Sequence, residues 1–261
     1  MKKFPDMEQS FKEALKNKNF HVWYQPQVDM RTGRPKGAEA LVRWRNEDGS
    51  LTSPDRFVPA LEKLGLASLL DEEVMGIVCR DICEARSRGI PFGPVSVNLS
   101  RLHAGRSKIT DKFRGITQRH GVGERELSFE ITETAAQEME GKEMIRFVER
   151  LKGDGYRIAM DDYGMGNSTL RMLRDVRFDI LKLDRYFVSR IGEPKSDIIL
   201  SSTIGMAGAL GMEVVAEGVE TKEQISFLLE HECYFGQGYY YSRPLPKEEY
   251  IRWRQAYEET V

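Results

Sequence analysis

A chain of 261 residues with 40% hydrophobic and 31% charged residues suits a soluble globular fold with a sizeable core. Its formal net charge of −2 excludes the broad basic field that grips extended nucleic acid, while a small phosphate ligand needs only a few local cations. No run approaches the roughly 18 apolar residues of a membrane segment, the start MKKFPDMEQS lacks a signal peptide's apolar stretch, and three sparse cysteines (Cys79, Cys83, Cys233) read as reduced packing residues of a cytoplasmic protein.

In chain order, Met7, Phe11 and Leu15 recur every fourth residue. They predict a leading helix within residues 1–19 that covers one end of the fold or joins an upstream domain of a longer protein. A single barrel domain is expected over 20–261. Its strand candidates are HVWYQPQVD, KGAEALVRW, PVSVNLS, LSFEITE, RIAMDDY, DILKLD, EVVAEGV and FGQGYYYSR, eight in all. Helical patterns separate most of them. In TSPDRFVPALEKLG, Ser53 caps, Pro54 takes the first helical position and Gly65 ends the helix. Leu66, Leu70, Val74, Ile77, Ile82 and Ala85 then form one apolar face, and Thr221 caps a helix that turns Ile225, Leu228 and Leu229 inward.

Repeated strand–helix alternation predicts an α/β fold, a (β/α)8 TIM-like barrel with its helices outside. The first two strand candidates are joined only by MRTGRP, too short for a helical crossover, so the first strand is expected to be antiparallel.

Alternate residues of a strand face opposite sides. Glu39, Leu41 and Arg43 share one face, Asn98 lies with Ser96 and Ser100, Glu130 with Ser128 and Thr132, and Lys182 with Ile180 and Asp184. Helices cover the opposite, apolar faces, so the polar faces point into the barrel. Each polar residue stands late in its strand, at the end where barrels build active sites. Asp161, Asp162, Glu217 and Gln237 occupy comparable late positions.

Two carboxylates about 4 Å apart repel by roughly 4 kcal/mol at an effective dielectric near 20. Five converging acids must therefore protonate, spread apart or bind cations. An all-oxygen donor set prefers Mg²⁺ or Mn²⁺ to zinc or copper, and two adjacent Asp suit a pair of ions about 3.5–4 Å apart. On spacing alone, scattered surface acids and helix caps remain the other reading. His21, His103, His120 and His231 lack ligand spacing and read as surface or packing residues. Trp44 reads as packing, and Tyr239 to Tyr241 as strand residues.

Nine motifs in order, YQPQVD, AEALVRW, SPDRFVP, SVNLS, FEITET, DDYG, LKLD, VVAEGVET and QGYYYSRPLP, cover the chain from about Phe20 to Pro246. With them the chain resembles the EAL domain, a family of cyclic di-GMP phosphodiesterases built on a (β/α)8 barrel with one antiparallel strand. The resemblance implies hydrolysis of cyclic di-GMP to linear pGpG with two Mg²⁺ or Mn²⁺ ions. Glu39, Asn98, Glu130 and Asp161 match the ligands of one ion; Asp161, Asp162 and Glu217 match those of the second. Lys182 corresponds to the lysine that orients the attacking water, and Gln237 to a glutamine beside it. Arg43 matches an arginine on a substrate phosphate, with Gln25 and Leu41 lining the nucleotide pocket. Glu133 corresponds to a glutamate bracing the loop after the Asp pair, and Asp184 and Glu220 to supporting groups. A homodimer and an upstream sensor or cyclase domain are further implications. The loop DDYGMGNSTL departs from the family's DDFGTGYSSL at Met165 and Asn167. A cyclic di-GMP receptor without turnover, or a protein-interaction module, is the alternative function.

Overall fold

The computed structural model describes residues 4–100, 109–132, 141–164 and 169–259. Eight strands form a closed ring: β1 (Phe20–Asp29), β2 (Pro35–Arg45), β3 (Val95–Asn98), β4 (Leu127–Thr132), β5 (Arg157–Tyr163), β6 (Ile180–Leu183), β7 (Glu213–Glu217) and β8 (Phe235–Gln237). From β2 to β8 each strand runs parallel to the next. The ring closes through β1, which pairs antiparallel with both β2 and β8. The short link between β1 and β2 leaves no other choice. It turns tightly, with Gly33 at φ +71° and the Arg31 backbone N–H donating to the Asp29 carboxylate at 3.0 Å.

The helices are α1 (Phe4–Lys16), α2 (Val58–Lys63), α3 (Ala67–Ser87), α4 (Ile109–His120), α5 (Gly141–Gly153), α6 (Thr169–Asp175), α7 (Arg185–Val188), α8 (Pro194–Ala209), α9 (Lys222–Glu230) and α10 (Lys247–Glu259). The outward strand residues Val95, Phe129, Ile158, Leu181 and Val214 are buried in the layer between barrel and helices. Each large apolar side chain so covered contributes about 1.5–3 kcal/mol. The apolar face expected of α3 is also buried at Leu70, Val74, Ile77, Ile82 and Ala85. Thr221 accepts a hydrogen bond from the Gln224 N–H, and Gln224 reaches back to the Thr221 N–H, a reciprocal cap that starts α9.

Helix α1 docks through Phe11, which is fully buried against Phe20 (ring centroids 5.6 Å) and Trp44 (6.3 Å). Trp44 also meets Phe57 edge-on at 5.4 Å and is a packing residue, as expected. Cys79 and Cys233 are buried free thiols.

Two expectations need correction. Residues 53–65 do not form one helix capped by Ser53: a 3₁₀ turn at Pro54–Arg56 precedes α2, and the Ser53 hydroxyl bonds the Asp55 carboxylate instead of a backbone N–H. A second proline, Pro59, lacks the N–H that would continue the first turn, so the helix restarts around it. The last strand ends at Gln237, and Tyr239 to Tyr241 belong to a turn. At Gly238 the chain crosses so close to Val219 that a Cβ would lie 2.1 Å from the Val219 carbonyl oxygen. The Tyr240 N–H then donates to that oxygen at 3.0 Å, leaving Tyr239 and Tyr240 exposed.

Candidate metal centre and active site

Strand alternation carries Glu39, Glu130, Asp161, Lys182 and Glu217 to one chamber inside the barrel. The Lys182 ammonium, 1% exposed, sits among four carboxylates: Glu130 Oε2 at 2.7 Å, Glu217 Oε1 at 2.7 Å, Asp161 Oδ1 at 3.0 Å and Glu39 Oε2 at 3.2 Å. Gln237 tightens the same cluster, its amide donating to Glu39 Oε2 at 2.7 Å and to Glu217 Oε1 at 3.0 Å. Asn98 donates to Glu39 Oε1 at 3.1 Å.

Asp162 reaches this chamber by a different route. A regular strand would send Asp161 and Asp162 to opposite faces. The register between β5 and β6 slips between Met160 and Tyr163, and Asp162 takes the left-handed conformation at φ +55°. An irregularity of this kind re-aims a side chain, and Asp is among the residues that tolerate the conformation. Oxygens of Asp161, Asp162 and Glu217 thereby come within 4.8 Å of one another, as do those of Glu39, Glu130 and Asp161.

One ammonium faces too many acids. Burial pushes the Glu130 carboxyl well above its usual range, and the neighbouring Glu39 pushes it further. Burial, opposed by Lys182 and helped by Asp161 and Glu39, raises Glu217 to about 8. Burial and the adjacent Asp161 and Asp184 raise Asp162 to about 6. Burial alone would lower the Lys182 pKa, yet the four carboxylates hold it well above the ordinary lysine value. Glu39 is lowered despite its burial, because Lys182, Gln237 and Asn98 all favour its anion. Among the described residues, buried Glu130 Oε1 has no hydrogen-bond partner, and Asp161 Oδ1 is 3.0 Å from the Lys182 ammonium without hydrogen-bond geometry. Carboxyl oxygens crowded into two overlapping triads, two of them without a hydrogen-bond partner, fit a pair of hard divalent cations.

Beside the chamber lies a cavity of about 430 Å³, lined by Leu41, Val58, Pro59 and Leu99 and by Asn98, Thr132 and Asp162. Gln25, paired with Glu39 across β1 and β2, is buried and donates to the Ser242 carbonyl at 2.6 Å. Arg43 is half-buried, its guanidinium 5.5 Å from the Trp23 ring. Asp184 caps α7, accepting from the Tyr186 N–H at 2.7 Å. Glu220 is exposed, and its backbone N–H donates to Gln224 Oε1 at 2.7 Å. Glu133, Met165 and Asn167 lie outside the described residues.

Gln27 escaped the sequence reading. Its amide donates to Gln237 Oε1 at 3.0 Å and so orients the Gln237 N–H groups toward the acids. The signal was present: Gln25 and Gln27 are two apart in β1 and share the inward face.

The family profile of the EAL domain matches residues 8–244. The chain is 37% identical over 250 residues to the cyclic di-GMP phosphodiesterase NbdA of Pseudomonas aeruginosa, covering 94% of this chain and 32% of that protein. It is 35% identical to the probable cyclic di-GMP phosphodiesterase PdeB of Escherichia coli, covering 94% and 46%. It thus spans 32% to 46% of the length of these relatives. A solved structure of the PaMucR phosphodiesterase in complex with c-di-GMP superposes with a TM-score of 0.86 at 31% identity, over 94% of this chain and 99% of that one. The chain belongs to the EAL domain family.

Proposed function

We propose that the chain is a metal-dependent phosphodiesterase that hydrolyses cyclic di-GMP to linear pGpG. The observation that carries this reading is the complete buried oxygen cluster around Lys182, with Glu130 Oε1 unsatisfied, opening beside a cavity large enough for part of a nucleotide. The relatives named as cyclic di-GMP phosphodiesterases and the c-di-GMP complex of a similar domain support the substrate.

Glu39, Asn98, Glu130 and Asp161 would hold one cation, and Asp161, Asp162 and Glu217 the other; Mg²⁺ and Mn²⁺ match these donors. When bound, such ions lower the pKa of a water and offset charge on the phosphate. Lys182 orients the attacking water through its N–H groups, which the surrounding acids keep protonated. Gln237, fixed by Gln27, holds Glu39 and Glu217 in place. Arg43 offers paired donors to a substrate phosphate, and Gln25 and Leu41 border the nucleotide. The water attacks phosphorus in line with the departing 3′ oxygen.

The test is incubation of the purified chain with cyclic di-GMP and Mg²⁺ or Mn²⁺, followed by chromatography for pGpG. Binding without product would instead support a receptor. A homodimer and a sensor or cyclase domain in the same polypeptide are part of the same proposal, the former checked by light scattering.

A further inference from the structure

The one-turn helix α7 touches both loops that carry the second set of acids. On one side, Gly164 follows Asp162 by two residues and lies at φ +95°. A Cβ there would sit 2.5 Å and 2.7 Å from the edge of the Phe187 ring. On the other side, Gly218 follows Glu217 directly, at φ +69°, and its Cβ would sit 2.5 Å from Arg185 Cβ and 3.3 Å from Arg185 Cα. Both glycines are required twice over, by the left-handed backbone and by the lack of room.

Helix α7 is itself pinned. Asp184 caps its start. The Gln224 amide donates to the Val188 carbonyl at 3.2 Å, tying its end to α9. Val188 is fully buried, and Phe187 packs against the main core. The turn is therefore a rigid wedge between two loops, not a passive link.

We infer that Phe187 and the wedge helix Arg185–Val188 are positioning elements that set the spacing between Asp162 and Glu217, and so the affinity for the second divalent cation. This rests on the metal reading above. Among the described residues no hydrogen bond or ion pair joins Phe187 or Arg185 to the acids; each acts by bracing a backbone turn next to one. Asp162 needs such bracing most, because its place in the chamber depends on a single irregular residue, whereas Glu39 and Glu130 are held by regular strand pairing. Glu39 and Glu130, the acids that the second set does not share, should thus be indifferent to the wedge.

The experiment compares the native chain with Phe187→Ala and, as control, Ile198→Ala, whose side chain on α8 is 67% exposed. Amide hydrogen exchange without added metal reads the wedge by itself. Calorimetric titration with Mn²⁺ reads its consequence. Phe187→Ala is expected to speed exchange at residues 162–164 and 217–218 and to weaken one of two Mn²⁺ sites on the order of tenfold, as outer-shell changes do. The other site and the Ile198→Ala protein should stay as native. Unchanged exchange at both loops in Phe187→Ala would overturn the wedge; faster exchange with both Mn²⁺ sites native would overturn its link to the cation. Should the native chain take up no Mn²⁺, the metal reading falls and the link to the cation with it, while the exchange result still decides whether the wedge braces the loops. Gly164→Ala combined with Phe187→Ala guards against a merely unfolded variant: relief of the clash predicts exchange no faster than in Gly164→Ala alone.

Discussion

Lys182 is the pivot of the chamber, because a single buried ammonium contacts four carboxylates. Removing one partner of a buried ion cluster is far costlier than never having built it. Lys182→Met is expected to lose turnover and about 3 kcal/mol of stability in metal-free protein, read by urea unfolding. Glu39→Ala should lower the rate of pGpG formation by ~10²-fold or more, since it removes a donor from one triad and the anchor of Asn98 and Gln237. The pH dependence has a definite sign. The Glu217 carboxyl stands at about 8 in the fold against 4.5 ordinarily. The fold thus holds this proton more tightly than the unfolded chain does. Its contribution is complete below about 4.5 and is lost as pH rises through about 8. The unfolding temperature of metal-free protein should fall across that window, and Glu217→Gln should flatten the fall. A calorimetric scan at several pH values checks it.

At the scale of single elements, regular strands were the legible part. Alternation alone placed Glu39, Asn98, Glu130 and Lys182 on inward faces, and six residues between strand candidates were enough to make β1 antiparallel. What escaped were departures from regularity. The left-handed turn at Asp162 has no signature in RIAMDDY, because Asp at a strand end reads as an ordinary turn residue. Gly238 stops β8 through a backbone contact with Val219, which lies 19 residues away in sequence and cannot be seen from FGQGYYYSR, where three tyrosines favour a strand. The same holds for Gly164 and Gly218, whose partners lie on α7. Capping was readable at Thr221 but not at Ser53, whose hydroxyl turns to Asp55; Thr221→Ala should destabilise the protein by about 1 kcal/mol, measured by urea unfolding, through loss of the cap on α9.

For the molecule as a whole, the barrel and its helical coat share one core, and α1 belongs to it. Phe11 is fully buried between Phe20 and Trp44, so Phe11→Ala is expected to cost about 3–5 kcal/mol in denaturant titration, more than a dispensable leader would. No helix among the described residues is long and apolar enough to cross a membrane.

The antiparallel first strand also has a consequence for synthesis. Residues Phe20–Asp29 and their near neighbour Pro35–Arg45 are joined by a short link, yet the strand that closes the ring against them, Phe235–Gln237, is made long after both. Until then the nascent polypeptide carries open sheet edges, the kind of surface that recruits foreign strands. Ending the chain just before Phe235 would leave the ring permanently unstitched, and such a fragment should be recovered in inclusion bodies.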